Sequence, residues 1–117
     1  MGAEKNFENK VKDFLKKENC WFVKYWGGGE FTKAGIPDIL CCCSGYFLAI
    51  EIKAPKGKPS ELQKWNIKKI IEKCGYGVIL YPDQFDDFKE LVHHLKGLKE
   101  AKAVEVEHKI NERWDKG

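Results

Sequence analysis

The chain has 117 residues, 43% of them hydrophobic and 13% aromatic, with a net charge of +3. That is enough apolar material for one domain with a real core, and too much for a disordered chain. No apolar run approaches the length of a membrane span, and Met1-Gly2-Ala3-Glu4-Lys5 has none of the apolar stretch of a signal peptide.

The first predicted element is a helix over residues 4–18. Phe7, Val11, Phe14 and Leu15 follow the i, i+4, i+7, i+8 spacing of a core-facing stripe. Glu8 lies at the edge of that stripe, where a carboxylate on a charged helix is unremarkable by itself. Glu4 sits nearer the end. Asn19 ends the helix, and residues 20–26 (Cys-Trp-Phe-Val-Lys-Tyr-Trp) read as a strand by their aromatic and β-branched content. Gly27-Gly28-Gly29 stops it and opens a loop carrying Thr32 and Lys33, either an inert connector or a segment placed to close over a ligand.

Next come two apolar runs around Ser44-Gly45, a turn dipeptide, so residues 37–53 read as a hairpin. A turn centred there pairs Cys43 with Tyr46 and Cys42 with Phe47. The same register puts Asp38 opposite Glu51. Directly opposed like charges are destabilising. Lys53 points to the same face as Glu51. Two carboxylates and an ammonium at one end of an apolar hairpin make a poor structural device and a sensible site for a hard divalent cation with oxygen ligands. A half-exposed strand end with a Lys53 ion pair is the plainer alternative.

The five cysteines are odd in number and contain no Cys-x-x-Cys pair. His93, His94 and His108 are not spaced with them as a zinc site would be. They read as small buried hydrophobes in a reducing, cytoplasmic setting.

Residues 54–59 (Ala-Pro-Lys-Gly-Lys-Pro) form a basic turn. With Lys33, Lys53 and Lys64, its Lys56 and Lys58 could concentrate positive charge beside the carboxylates and meet a phosphate backbone; a solvated lysine-rich turn is the other reading. A second helix is predicted from Ser60 to Cys74. Gln63 lies on its apolar stripe, four residues before Ile67, yet Ser60-x-x-Gln63 is also a capping box. Gly75-Tyr76-Gly77 is expected to break that helix before a buried strand, residues 78–81. A third helix follows Pro82-Asp83, with Phe85, Phe88, Leu91, Val92 and Leu95 on one face, to Gly97. Residues 98–114 are ambiguous: Ala103, Val106, Ile110 and Trp114 fit a helix, while Val104-Glu105-Val106-Glu107 alternates like a strand. Helix is the reading adopted.

Gly35-Ile36-Pro37-Asp38, with Glu51-Ile52-Lys53 thirteen residues beyond the aspartate, resembles the signature of the PD-(D/E)XK nuclease superfamily. The wording of residues 33–66, including Phe47-Leu48-Ala49-Ile50-Glu51-Ile52-Lys53-Ala54-Pro55 and Lys58-Pro59-Ser60-x-x-Gln63, is similar to its VRR-NUC family and that family's small stand-alone members. The resemblance implies a restriction-endonuclease-like α/β fold, an αβββαβ core with a mixed sheet flanked by helices. It fits one domain over residues 1–117, with the core at about 4–96 and a C-terminal extension at 98–117. It also implies a metal-dependent DNA endonuclease. Asp38, Glu51 and the Ile52 carbonyl would hold Mg²⁺ (or Mn²⁺), and Glu8 would ligate directly, through water or through a second ion. Lys53 would position the attacking water, and Gln63 would orient Lys53 or that water. Lys33, Lys56, Lys58 and Lys64 are the expected DNA contacts.

By the same resemblance the substrate would be branched DNA such as a Holliday junction, cut by a homodimer. The aromatic first strand, the third helix and the Trp114 tail are the candidate interface, although Trp21 by itself is better suited to the core. A nuclease acting on flaps, ends or linear duplex, or a non-catalytic DNA-binding module on a nuclease-like fold, are the alternatives.

Overall fold

Four strands make one mixed sheet in the order β1-β2-β3-β4 in the computed structural model, which describes residues 2–26 and 34–116. The hairpin is its centre. β2 (Ile39–Cys43) and β3 (Tyr46–Ile52) pair antiparallel from Cys43↔Tyr46 to Ile39↔Ile50, the register predicted from the turn. Ser44 and Gly45 both take positive φ (52° and 89°), as a two-residue turn matching the strand twist requires. β1 (Trp21–Lys24) pairs antiparallel with β2, and β4 (Tyr76–Leu80) pairs parallel with β3. The parallel pair is joined by α2 (Glu61–Glu72), a βαβ crossover. α1 (Ala3–Lys17), α3 (Phe85–Lys96) and α4 (Glu100–Asn111) complete the fold. None of the helices is long and apolar enough to cross a membrane.

Strand alternation divides the sheet between two clusters. Ile39, Cys41, Cys43, Leu48, Ile50 and Ile52 face α1, α3 and α4, where Phe7, Val11, Leu15, Phe88, Leu91 and Leu95 are buried. Ala49 and Ile79 face α2 and pack with Ile67, Tyr81 and Trp114. Among the described residues α2 and Trp114 cover that second face, and Trp21 and Val23 on its β1 side are exposed.

Several expectations change for that reason. Trp21 is 67% exposed instead of in the core, while Trp114 is buried. The apolar face of α3, with Phe88, Leu91, Val92 and Leu95, is buried in the core. Cys42 and Cys74 are exposed, while Cys41 and Cys43 are buried; burial, with Cys20 close by, pushes the Cys43 thiol up to about 12.

The C-terminal region is not an appendage outside the core. Ala103, Val106 and Ile110 enter the main cluster. Glu107 and Asn111, one turn apart on α4, take up the outer backbone edge of β4: Gly77 N–H donates to Glu107 (2.9 Å), Ile79 N–H to Asn111 Oδ1 (3.2 Å), and Asn111 Nδ2 to the Gly77 carbonyl (2.8 Å). With β3 on one side and these side chains on the other, Tyr76 and Gly77 belong to the strand and do not end before it.

Candidate active site

Asp38 precedes the first residue of β2, and its position is over-determined. Gly35 (φ 75°) lies against α2 so tightly that a Cβ there would come within 2.7 Å of Leu62 Cγ. Asn66 Nδ2 donates to the Gly35 carbonyl (2.9 Å), tying the entering chain to α2. On the other side, Tyr25 N–H donates to the Asp38 carbonyl (2.8 Å). The carboxylate is held at both oxygens. The Ile52 amide donates to Oδ2 (2.8 Å) and Lys24 Nζ lies 3.4 Å from Oδ1. At Ile52 the contact to Asp38 is thus made by the amide.

Glu51 alternates onto the α2 face and is buried, 3% exposed. Its Oε2 accepts from Gln63 Nε2 (3.2 Å) and lies 3.6 Å from Lys53 Nζ. Its Oε1 is buried without a hydrogen-bond partner. Burial first, then the charge of Asp38, push the Glu51 carboxyl up to about 8, against the smaller pull of Lys53. Near neutral pH this group therefore holds a proton. An orphaned carboxyl oxygen beside a second carboxylate fits a divalent cation, which would supply the missing partner and the countercharge. Among the described residues no three His, Cys, Asp or Glu side chains gather as a ligand set. Two carboxylates are what Mg²⁺ commonly takes, keeping several waters.

Glu8 shares one ammonium, Lys24 Nζ, with Asp38. It belongs to α1, on the other face of the sheet, and three ammonium groups hold it: Lys24 at 2.7 Å, Lys5 at 3.2 Å and Lys12 at 3.3 Å. Burial would raise its pKa, but the hydrogen bonds from Lys24 and Lys5 prevail and hold it at about 2. Lys24 joins Glu8 to Asp38, and its own pKa is raised: burial opposes the charge, and the two carboxylates outweigh burial. Sequence reasoning missed Lys24; alternation along β1 sets it on the α1 face with Phe22, but only the packing of α1 brings Glu8 to it. The Glu4 charge, from the first turn of α1, adds a small upward push on Glu51.

Gln63 fills both of its predicted places at once. Its Oε1 accepts the Ser60 N–H (2.9 Å), its N–H donates to Ser60 Oγ (3.1 Å), and its Nε2 remains free to hold Glu51. The capping box fixes the amide that orients the carboxyl. Lys56 and Lys58 are exposed on the turn after β3. Lys64 pairs with Glu61 (2.9 Å) on the surface, a contact of little energetic weight. Lys33 and Thr32 lie outside the described residues.

A search of curated proteins returns no match. One family model does match, described as archaeal Holliday junction resolvase (hjc), and it covers residues 2–113. The mixed sheet with its flanking helices is consistent with that family's nuclease-like core. Spanning nearly the whole chain, this match shows that the protein belongs to the archaeal Holliday junction resolvase (hjc) family, structure-specific DNA endonucleases of the restriction-endonuclease-like superfamily.

Proposed function

We propose that this protein is a metal-dependent endonuclease that hydrolyses phosphodiester bonds at four-way DNA junctions. The observation that carries the metal dependence is the buried, unpartnered Glu51 Oε1 beside Asp38. A non-catalytic binding module would have no use for it. Asp38, Glu51 and the Ile52 carbonyl would hold Mg²⁺ or Mn²⁺. The ion, when bound, lowers the pKa of a water and neutralises charge on the phosphoryl oxygens.

The chain's own groups do the rest. The Ile52 amide and Lys24 fix the Asp38 carboxylate. Gln63 fixes Glu51. Lys53, largely buried and 3.6 Å from Glu51, keeps an ammonium where it positions the attacking water and stabilises charge as it develops. Glu8 holds the Lys24 ammonium against Asp38, and from there it would ligate through water or a second ion. Lys56 and Lys58, with Lys33 and Lys64, meet the phosphate backbone. The VRR-NUC-like wording of residues 33–66 stands within this reading as a proposed kinship of motif.

Resolving a junction takes two cuts, and one carboxylate pair per chain makes a two-fold homodimer the simplest supply of two sites. Its interface is supported by the exposed side of that sheet face. Trp21, Cys42 and Phe47 form an exposed row across three strands, continued by Trp65 at a groove of about 710 Å³ between the hairpin and α2. The test incubates the protein with a four-way junction and with linear duplex of the same sequence, in Mg²⁺ and in EDTA, with light scattering at micromolar concentration. Paired cuts at the junction in Mg²⁺ alone, from a dimer, are expected. Undiminished cutting in EDTA refutes the metal site. Equal cutting of both substrates by a monomer refutes the resolvase reading.

A further inference from the structure

We propose that Trp26 is the residue that tells a branch point from plain duplex, by stacking on a base that has lost its neighbour where the strands exchange. This rests on the junction-cutting reading and adds a specificity-determining contact to it. Trp26 is the most exposed large hydrophobic residue among those described, at 72%. An indole so placed contributes little to the core. Its ring instead lies over two ammonium groups, Lys24 at 5.6 Å and Lys5 at 5.7 Å from the ring centre. Those lysines are two of the three that hold Glu8. Lys24 also stands 3.4 Å from the Asp38 carboxylate. Two short steps therefore lead from the ring centre to Asp38, together less than three base-pair rises of about 3.4 Å each.

The backbone fixes this proximity. The Tyr25 N–H is bonded to the Asp38 carbonyl, so Trp26 is the next residue after the strand's last tie to the site. The lysines around it would draw in phosphates, and DNA presented to Asp38 and Glu51 brings its bases alongside the indole. A base inside a duplex has both faces covered by its neighbours. A base at an exchange point has a face to offer, and every base has a π-face, so such a contact reads branching without reading sequence. Arg113, the only arginine, is engaged by Asp83 (2.6 Å), which suits a protein that reads shape more than base edges.

The test compares wild-type protein, Trp26→Ala and Trp26→Phe for equilibrium binding, in EDTA to prevent cutting, to a four-way junction and to linear duplex. A second junction carries 2-aminopurine at the exchange point. Trp26→Ala should weaken junction binding about 5- to 150-fold, the range of one base–aromatic stack, and leave duplex binding and the melting temperature unchanged. Trp26→Phe should recover most of the loss. Wild-type protein should quench the 2-aminopurine, and Trp26→Ala should not. If wild-type protein prefers the junction and Trp26→Ala keeps that preference, the stacking role alone is refuted. Equal loss on both DNAs also refutes it, making Trp26 a general contact. If wild-type protein shows no junction preference, the resolvase reading falls and this role with it.

Discussion

Metal binding should be coupled to the release of one proton from Glu51. The group titrates near 8 in the fold against an ordinary value of 4.5. At pH 7 it is therefore roughly nine-tenths protonated, and a cation that needs the carboxylate must displace that proton. Calorimetric titration with Mg²⁺ in two buffers of different ionisation enthalpy reads the number directly: close to one proton at pH 7, falling towards zero well above pH 8.

The metal-free protein shows the same linkage as stability. Between pH 4.5 and 8 the folded state binds a proton that the unfolded state has lost, so stability declines as pH rises through that window. The slope is on the order of 1.4 kcal/mol per pH unit. Glu107, pushed up to about 7 chiefly by burial, adds to the decline. The measure is therefore the difference between wild type and Glu51→Gln, which should lose the Glu51 share and gain melting temperature relative to wild type at pH 8. Glu8, held at about 2, contributes in the opposite sense: its stabilisation is full above pH 4.5 and is lost only as pH falls towards 2. No proton released at pH 7, together with identical pH profiles for wild type and Glu51→Gln, would show that Glu51 is already ionised and that burial does not govern it.

Lys53→Ala should slow cutting roughly 10²–10³-fold while junction binding in a gel shift and Mg²⁺ binding persist; cutting at the wild-type rate would make Lys53 a mere counter-ion. Gln63→Ala should lower stability by about 0.5–2 kcal/mol through the lost cap and also slow cutting, because Glu51 loses its orienting amide. A lowered melting temperature with a normal rate would leave Gln63 only its cap. Asn111→Ala should cost roughly 1–3 kcal/mol by orphaning the backbone edge of β4, with faster hydrogen exchange at Ile79 and an unchanged cutting rate at a temperature where the fold survives. Unchanged protection at Ile79 would show that α4 does not seal that edge.

The parts of the site that were legible in the sequence are those set by local rules. Ser44-Gly45 fixes the hairpin register as far as Ile39↔Ile50, which leaves Asp38 at the next position, where Gly35, Asn66 and Tyr25 hold it. Gln63 is legible twice, as a member of a helical stripe and as the third residue of a capping box, and the structure needs no choice between them. What was not legible depends on segments far apart in the chain. Alternation shows that Trp21 and Val23 share a face, but not that both are exposed on it. Tyr76 and Gly77 resemble a helix break until Glu107 and Asn111, thirty residues on, supply partners for the strand. Val104-Glu105-Val106-Glu107 alternates, yet Ala103, Val106 and Ile110 find the core only as one helical stripe.

The two glutamates show why motif spacing cannot assign roles alone. Both are acidic and nearly inaccessible, 4% exposed for Glu8 and 3% for Glu51. One is held at about 2 and the other raised to about 8. Burial acts on both in the same direction. The difference is the company: three ammonium groups hold Glu8, whereas Glu51 faces another carboxylate with one lysine at 3.6 Å. Asp38 can belong to both environments because it lies just before the β2 ladder begins. Strand alternation does not confine it to one face, so Lys24 reaches it from the α1 side and the Ile52 amide from β3. A rigid ionic clamp on one face and an unsatisfied carboxyl on the other are thus joined at a single aspartate. Three ammonium groups surround the Glu8 carboxylate, whereas among the described residues Lys53 alone pairs with Glu51.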